Sequence, residues 1–202
     1  MKVVLVHGFL DSGRIMGKLA RYLSGEGHEC LTPSLKPCDG KDGLPKLARE
    51  LHDFLEKELA EGERFAMAGF SMGSLVSRYY LQELAGHLRV DAFFSISGPH
   101  SGTWMAYFYP GDGVRQMRPG SRFLQDLDAS SERLAEIPIT CYWTPFDLMI
   151  IPAASCRWPM GEEMLIPSLI HRWMVSDRRL HKDISERLGK VQSRGELGNS
   201  ES

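Results

Sequence analysis

Gly69-Phe70-Ser71-Met72-Gly73 constrains this chain more than any other stretch, because of what stands on either side of it. Arg64-Phe65-Ala66-Met67-Ala68 before it is a short apolar run of strand length, and Ser74-Leu75-Val76-Ser77-Arg78-Tyr79-Tyr80-Leu81 after it has apolar residues at helical spacing. A strand that becomes a helix within a few residues must pass through a cramped backbone, which the flanking glycines permit. Ser71 is then raised off the sheet edge, with the amino end of a helix beneath it to favour developing negative charge. With 20 glycines in 202 residues the pentapeptide alone recurs by chance, so the rest of the chain must supply its partners.

The apolar segments come in an alternating order. Val3–Val6 reads as a first buried strand, followed by a loop at 7–13 and a helix at about 14–25. Glu29–Thr32 is a second strand ended by Pro33, and 34–43 is loop. Leu44–Ala60 is an amphipathic helix whose Leu44, Leu47, Leu51, Phe54, Leu55 and Leu59 share one stripe. Beyond the strand at 64–69 and the helix at 73–85, strands are expected at 90–97, 137–143 and 163–166, with a final helix within 172–189. Such alternation implies right-handed crossovers and an α/β domain: a mainly parallel sheet of about six strands, helices on both faces and a small cap or none. One domain over residues 1–190 is expected, with 98–136 as a cap-like insertion carrying short helices near 102–108 and 121–128, and a polar tail over 191–202.

In a parallel sheet the functional groups gather at the carboxyl ends of the strands, so the partners of Ser71 should also follow strands. A serine at neutral pH needs a base within hydrogen-bond reach, itself oriented by a third group. Asp147 follows Ile137-Pro138-Ile139-Thr140-Cys141-Tyr142-Trp143, and His171 follows the last strand candidate. Both can also be read blandly, as a turn aspartate and a histidine at a helix start. Of the seven histidines, His171 fits the base better than His181, which falls inside the closing helix; His28, His52 and His87 fit solvated or structural roles. The oxyanion of a tetrahedral intermediate needs backbone donors: Met72, after the nucleophile, and Phe9 in the loop after the first strand, with Leu10 as second choice. Leu10, Trp104 and Tyr107 are candidates for substrate contact, the last two within the aromatic run 104–109.

The remaining composition excludes more than it proposes. A net charge of -2 and no basic stripe give no basis for nucleic-acid binding. There is no Walker loop, no G-x-G-x-x-G and no H-E-x-x-H, and Cys30, Cys38, Cys141 and Cys156 lack metal-ligand spacing, so neither metal nor cofactor is expected and free thiols are the default. No run of 18 apolar residues would span a membrane, and Met1 leads straight into Val3–Val6 without a leader, which gives a cytoplasmic expectation.

Val4-Leu5-Val6-His7-Gly8-Phe9, the Gly69–Gly73 turn, Ser97-Gly98-Pro99-His100-Ser101-Gly102-Thr103 and Met117-Arg118-Pro119-Gly120-Ser121-Arg122-Phe123-Leu124, in this order, resemble a small, lid-poor lipase or esterase of the α/β-hydrolase superfamily over about residues 2–190. The chain departs from larger lipases by starting at the oxyanion strand and by leaving little room for a cap. The resemblance implies a Ser71–His171–Asp147 triad cleaving a small-molecule acyl ester or lipid, short or medium in chain length. The same triad would serve an acyltransferase or thioesterase, and a non-catalytic binding module is the reading from another class.

Overall fold

A computed structural model describes residues 1–199 of the chain. Its centre is one sheet of six parallel strands: β1 (Lys2–Val6), β2 (Glu29–Leu31), β3 (Phe65–Phe70), β4 (Val90–Ile96), β5 (Ile139–Trp143) and β6 (Glu162–Leu165), in the spatial order β2-β1-β3-β4-β5-β6. Parallel neighbours need crossovers. These carry α1 (Gly17–Gly25), α2 (Leu44–Glu58), α3 (Met72–Glu83), α4 (Asp112–Gln116) and α5 (Arg122–Ala129), and α6 (Arg178–Asn199) closes the chain.

Because successive strand residues point to opposite faces, each strand builds two cores. Val4, Val6, Phe65, Met67, Phe93 and Cys141 pack with the buried leucines of α2 and with α3 and α5. Val3, Leu5, Ala66, Ala68, Phe94 and Tyr142 pack with Leu19 and Leu23 of α1 and with Leu180, Ile184 and Leu188 of α6. Leu47, Leu51 and Leu55 of α2 are completely buried, each contributing about 1.5–3 kcal/mol of apolar transfer free energy. That burial, more than helix propensity, holds a 15-residue helix on the sheet.

The sheet order reverses at β1. The chain leaves β1 through α1 on one face and leaves β3 through α3 on the other, so a crevice opens between these neighbouring strands at their carboxyl ends. The site lies there.

Two parts of the chain differ from the sequence expectation. The stretch 98–136 does not stand apart as a cap: Ala106, Val114, Met117, Phe123, Leu124, Leu127 and Leu134 lie in the same core as α2 and α3, and only its aromatic start remains at the rim. Residues 191–199 continue α6, which runs Arg178–Asn199, rather than forming a tail. Residues 200–202 lie outside the described part.

A buried polar cluster ties this layer together. His100 Nδ1 faces the Arg78 guanidinium at 3.3 Å, its Nε2 meets Ser95 Oγ at 2.7 Å, and its ring stacks on Trp158. Arg78 also reaches Gln82 and Asp128. Since the guanidinium only donates, His100 Nδ1 accepts and Nε2–H donates to Ser95. Burial first, and then the Arg78 charge, hold His100 well below the ordinary imidazole range. The unfolded chain therefore binds a proton on this side chain that the folded chain does not, and stability rises with pH in the window below the unfolded value near 6.5. We expect the melting temperature to be flat with respect to this group above about pH 7 and to fall below it, at up to ~1.4 kcal/mol per pH unit per buried neutral histidine. Thermal melts from pH 8 to pH 5 on the wild type and His100→Asn measure it, and an equal acid slope in both would remove His100 as the cause.

Candidate active site

The turn at Ser71 has the geometry its sequence demands. Ser71 adopts φ 54° and ψ −123°, a region costly for any residue with a β carbon, by ~1–3 kcal/mol. Its N–H donates to Ile96 O at 2.8 Å, and its carbonyl accepts from the Ser74 N–H at 2.9 Å. Ser74 Oγ donates to Gly69 O at 2.7 Å and closes the turn. A β carbon on Gly69 would stand 2.6 Å from Ser74 Cα, and one on Gly73 would stand 2.4 Å from His7 O and 2.5 Å from Val6 O. Both glycines are thus required because α3 starts hard against β3 and the end of β1. Ser71 sits at the N-cap of α3, where the helix dipole favours negative charge.

Asp147 follows β5 in a loop and is buried. Its Oδ1 accepts the N–H groups of Met149 and Ile150, both at 2.9 Å, and its Oδ2 lies 2.6 Å from His171 Nδ1. A carboxylate only accepts, so Nδ1 carries the imidazole proton and Nε2 is left as the basic nitrogen. His171 opens the 3-10 turn His171–Ser176 after β6 and is 7% exposed, its ring against Phe70 at 4.9 Å between centroids. The imidazole is thereby held against the residue that precedes Ser71. The hydrogen-bond network joins His171 to Asp147 and leaves the Ser71 hydroxyl outside it. Thr144 Oγ1 donates to Ser168 O at 2.7 Å and fastens the Asp147 loop to the His171 loop, while Arg172 pairs with Asp11 of the loop after β1 at 2.7 Å.

His181, the competing histidine, is buried elsewhere: its Nε2 lies 2.9 Å from Val175 O and its ring packs against Tyr22 of α1.

Of the proposed donors, Met72 is the first residue of α3, where the helix leaves N–H groups unpaired. Leu10 donates its N–H to Cys38 O at 2.8 Å and is thereby engaged. Phe9 lines a shallow apolar pocket of about 40 Å³ together with Ser71, Ala106, Tyr109, Met117 and Met149. Thr103 anchors one side of it, donating to Met149 O at 2.9 Å and accepting from the Ile151 N–H at 3.0 Å.

Leu10, Trp104 and Tyr107 are 59%, 55% and 50% exposed and stand at the rim, outside the pocket lining. The reason is the 3-10 turn Trp104–Tyr107, in which residues three apart share a face. Trp104 and Tyr107 stack on each other outside, with centroids 5.5 Å apart, whereas Thr103, Met105, Ala106 and the half-exposed Tyr109 line the pocket.

A family model described as the alpha/beta hydrolase fold matches residues 2–113. No curated protein matches the chain in sequence. Among solved structures, the mature lipase BlEst2 of Bacillus licheniformis superimposes with a TM-score of 0.74 at 14% identity, covering 93% of this chain and 91% of that one. A monoacylglycerol lipase of Paleococcus ferrophilus gives a TM-score of 0.71 at 14% identity, with 94% of each chain covered. A pyrethroid hydrolase of Sphingobium faniae JZ-2 gives 0.62 at 15% identity, over 92% of this chain and 96% of that one.

Proposed function

The chain belongs to the alpha/beta hydrolase family, and from that premise we propose that it is a serine carboxylic-ester hydrolase acting through an acyl-enzyme. The observation that carries the reading is the Asp147–His171 pair at 2.6 Å, tethered against Phe70 beside a strained, helix-capping Ser71. Ser71 Oγ attacks the ester carbonyl as His171 Nε2 takes its proton, and Asp147 keeps Nδ1 protonated and stabilises the imidazolium. The carbonyl oxygen becomes an oxyanion held by the Phe9 and Met72 N–H groups, worth ~3 kcal/mol per donor. Collapse expels the alcohol, which leaves with the proton from His171, and an acyl group remains on Ser71. Water then attacks with His171 as base, releasing the acid and restoring the hydroxyl.

The apolar pocket beside Ser71 is small, about 40 Å³, and is lined by Phe9, Ala106, Tyr109, Met117 and Met149. It supports a short acyl chain. Comparing p-nitrophenyl butyrate with the palmitate ester should favour butyrate in kcat/KM by at least tenfold. A fluorophosphonate probe should modify one residue, Ser71, with complete loss of activity. An unreactive Ser71 would refute the hydrolase reading; a preference for palmitate would refute the substrate assignment alone.

A further inference from the structure

His7 directly follows β1, is fully buried and makes two hydrogen bonds that fix its tautomer. The Leu35 N–H donates to His7 Nε2 at 2.9 Å. A nitrogen that accepts from an amide carries no proton, so the ring proton resides on Nδ1. Nδ1 lies 2.8 Å from Gly8 O and therefore donates to it. The Gly8–Phe9 peptide is planar, with its C=O and N–H pointing in opposite directions. Tethering the Gly8 carbonyl to His7 therefore turns the Phe9 N–H to the other side of the loop.

That peptide adjoins the nucleophile: a β carbon on Gly8 would stand 3.1 Å from Ser71 Cβ. Without a side chain, Gly8 offers little resistance to a peptide flip. On the far side Leu10, at φ 55°, commits its own N–H to Cys38 O at 2.8 Å, so the loop is held on both sides of Phe9, there by Cys38 and here by His7. We propose that His7 is a positioning residue that locks the Gly8–Phe9 peptide with its N–H presented to the oxyanion, braced in turn by the Leu35 amide. The inference rests on the hydrolase reading above and assigns the source of one donor's orientation.

The two ring nitrogens can be tested separately. In His7→Asn the side-chain amide occupies the place of Nδ1 and can still donate to Gly8 O; in His7→Gln the side-chain oxygen reaches the Leu35 N–H but the donor to Gly8 is lost. His7→Phe removes both while keeping a ring. For His7→Gln and His7→Phe we expect kcat to fall about 10–100-fold with KM within about twofold, because the donor acts on the transition state and not on the bound ester. The inhibition constant of a trifluoromethyl ketone, which forms an oxyanion on Ser71, should rise by the same factor. His7→Asn should recover at least tenfold of the loss. Melting curves and circular dichroism accompany each variant; if His7→Phe fails to fold, the Asn and Gln pair decides. Equal losses in Asn and Gln, a loss expressed in KM, or unchanged kcat in a folded His7→Phe each overturn the proposal. With Ser71→Ala inactive, such a result leaves the hydrolase reading standing, whereas activity in Ser71→Ala removes that reading itself.

Discussion

Replacing Ser71 by alanine is expected to lower ester hydrolysis by roughly 10⁴–10⁶-fold, leaving only what binding and the oxyanion donors supply without a nucleophile. The fold should survive, because nothing in the turn depends on the hydroxyl. The bonds that close it run from the Ser71 N–H to Ile96 O, from the Ser74 N–H to Ser71 O and from Ser74 Oγ to Gly69 O. The backbone gives a sharper control. Ser71 stands at φ 54° and ψ −123°, so Ser71→Gly relieves strain that alanine retains. We expect the glycine variant to be equally inactive but more stable than the alanine variant by about 1 kcal/mol, a rise of ~2–4 °C in melting temperature for a chain of this size. Assays with p-nitrophenyl butyrate and thermal melts on the three proteins measure both effects. Activity within a hundredfold of wild type in Ser71→Ala would eliminate this serine as the nucleophile.

Why Ser71 could be found in the sequence, and much around it could not, follows from range. The turn is a local object: its glycines, the strand before it and the helix after it lie within 20 residues, and Gly69 is required by backbone of the turn itself, whereas Gly73 is required by the distant end of β1. The strand alternation was equally legible, because a parallel sheet writes apolar runs and its crossover helices write stripes. Asp147 and His171 are separated by 24 residues, yet each follows a strand, and the topology alone carries both to one edge. The His7–Leu35 bond obeys no such rule. It depends on how the 32–43 loop folds back over the end of β1, which neither composition nor period records. The cluster of Arg78, His100, Asp128 and Trp158 was hidden for the same reason, joining α3, two loops and the end of α5. Residues 98–136 read as an insertion because their helices are short and joined by glycine- and proline-bearing loops, although Phe123, Leu124 and Leu127 still complete the layer beside α3.

The same logic makes Asp147→Asn the most informative single change after Ser71. In the wild type one carboxylate oxygen accepts two amides, from Met149 and Ile150, and the other accepts Nδ1–H of His171. An asparagine can keep its oxygen on the two amides, since reversing the side chain would set donor against donor there. Its NH₂ then faces His171 Nδ1, which must accept, so the imidazole proton moves to Nε2. The ring remains in place and presents to Ser71 a donor where an acceptor is needed. We expect kcat/KM to fall about 10³–10⁴-fold with little change in melting temperature, and fluorophosphonate labelling of Ser71 to slow in proportion. Asp147→Ala separates position from charge: it abandons the two loop amides as well, so it should lose comparable activity and also ~1–3 kcal/mol of stability. If Asp147→Asn retains kcat/KM within tenfold of wild type while folded, the carboxylate does not set the tautomer, and the 2.6 Å contact serves only to hold the loops together.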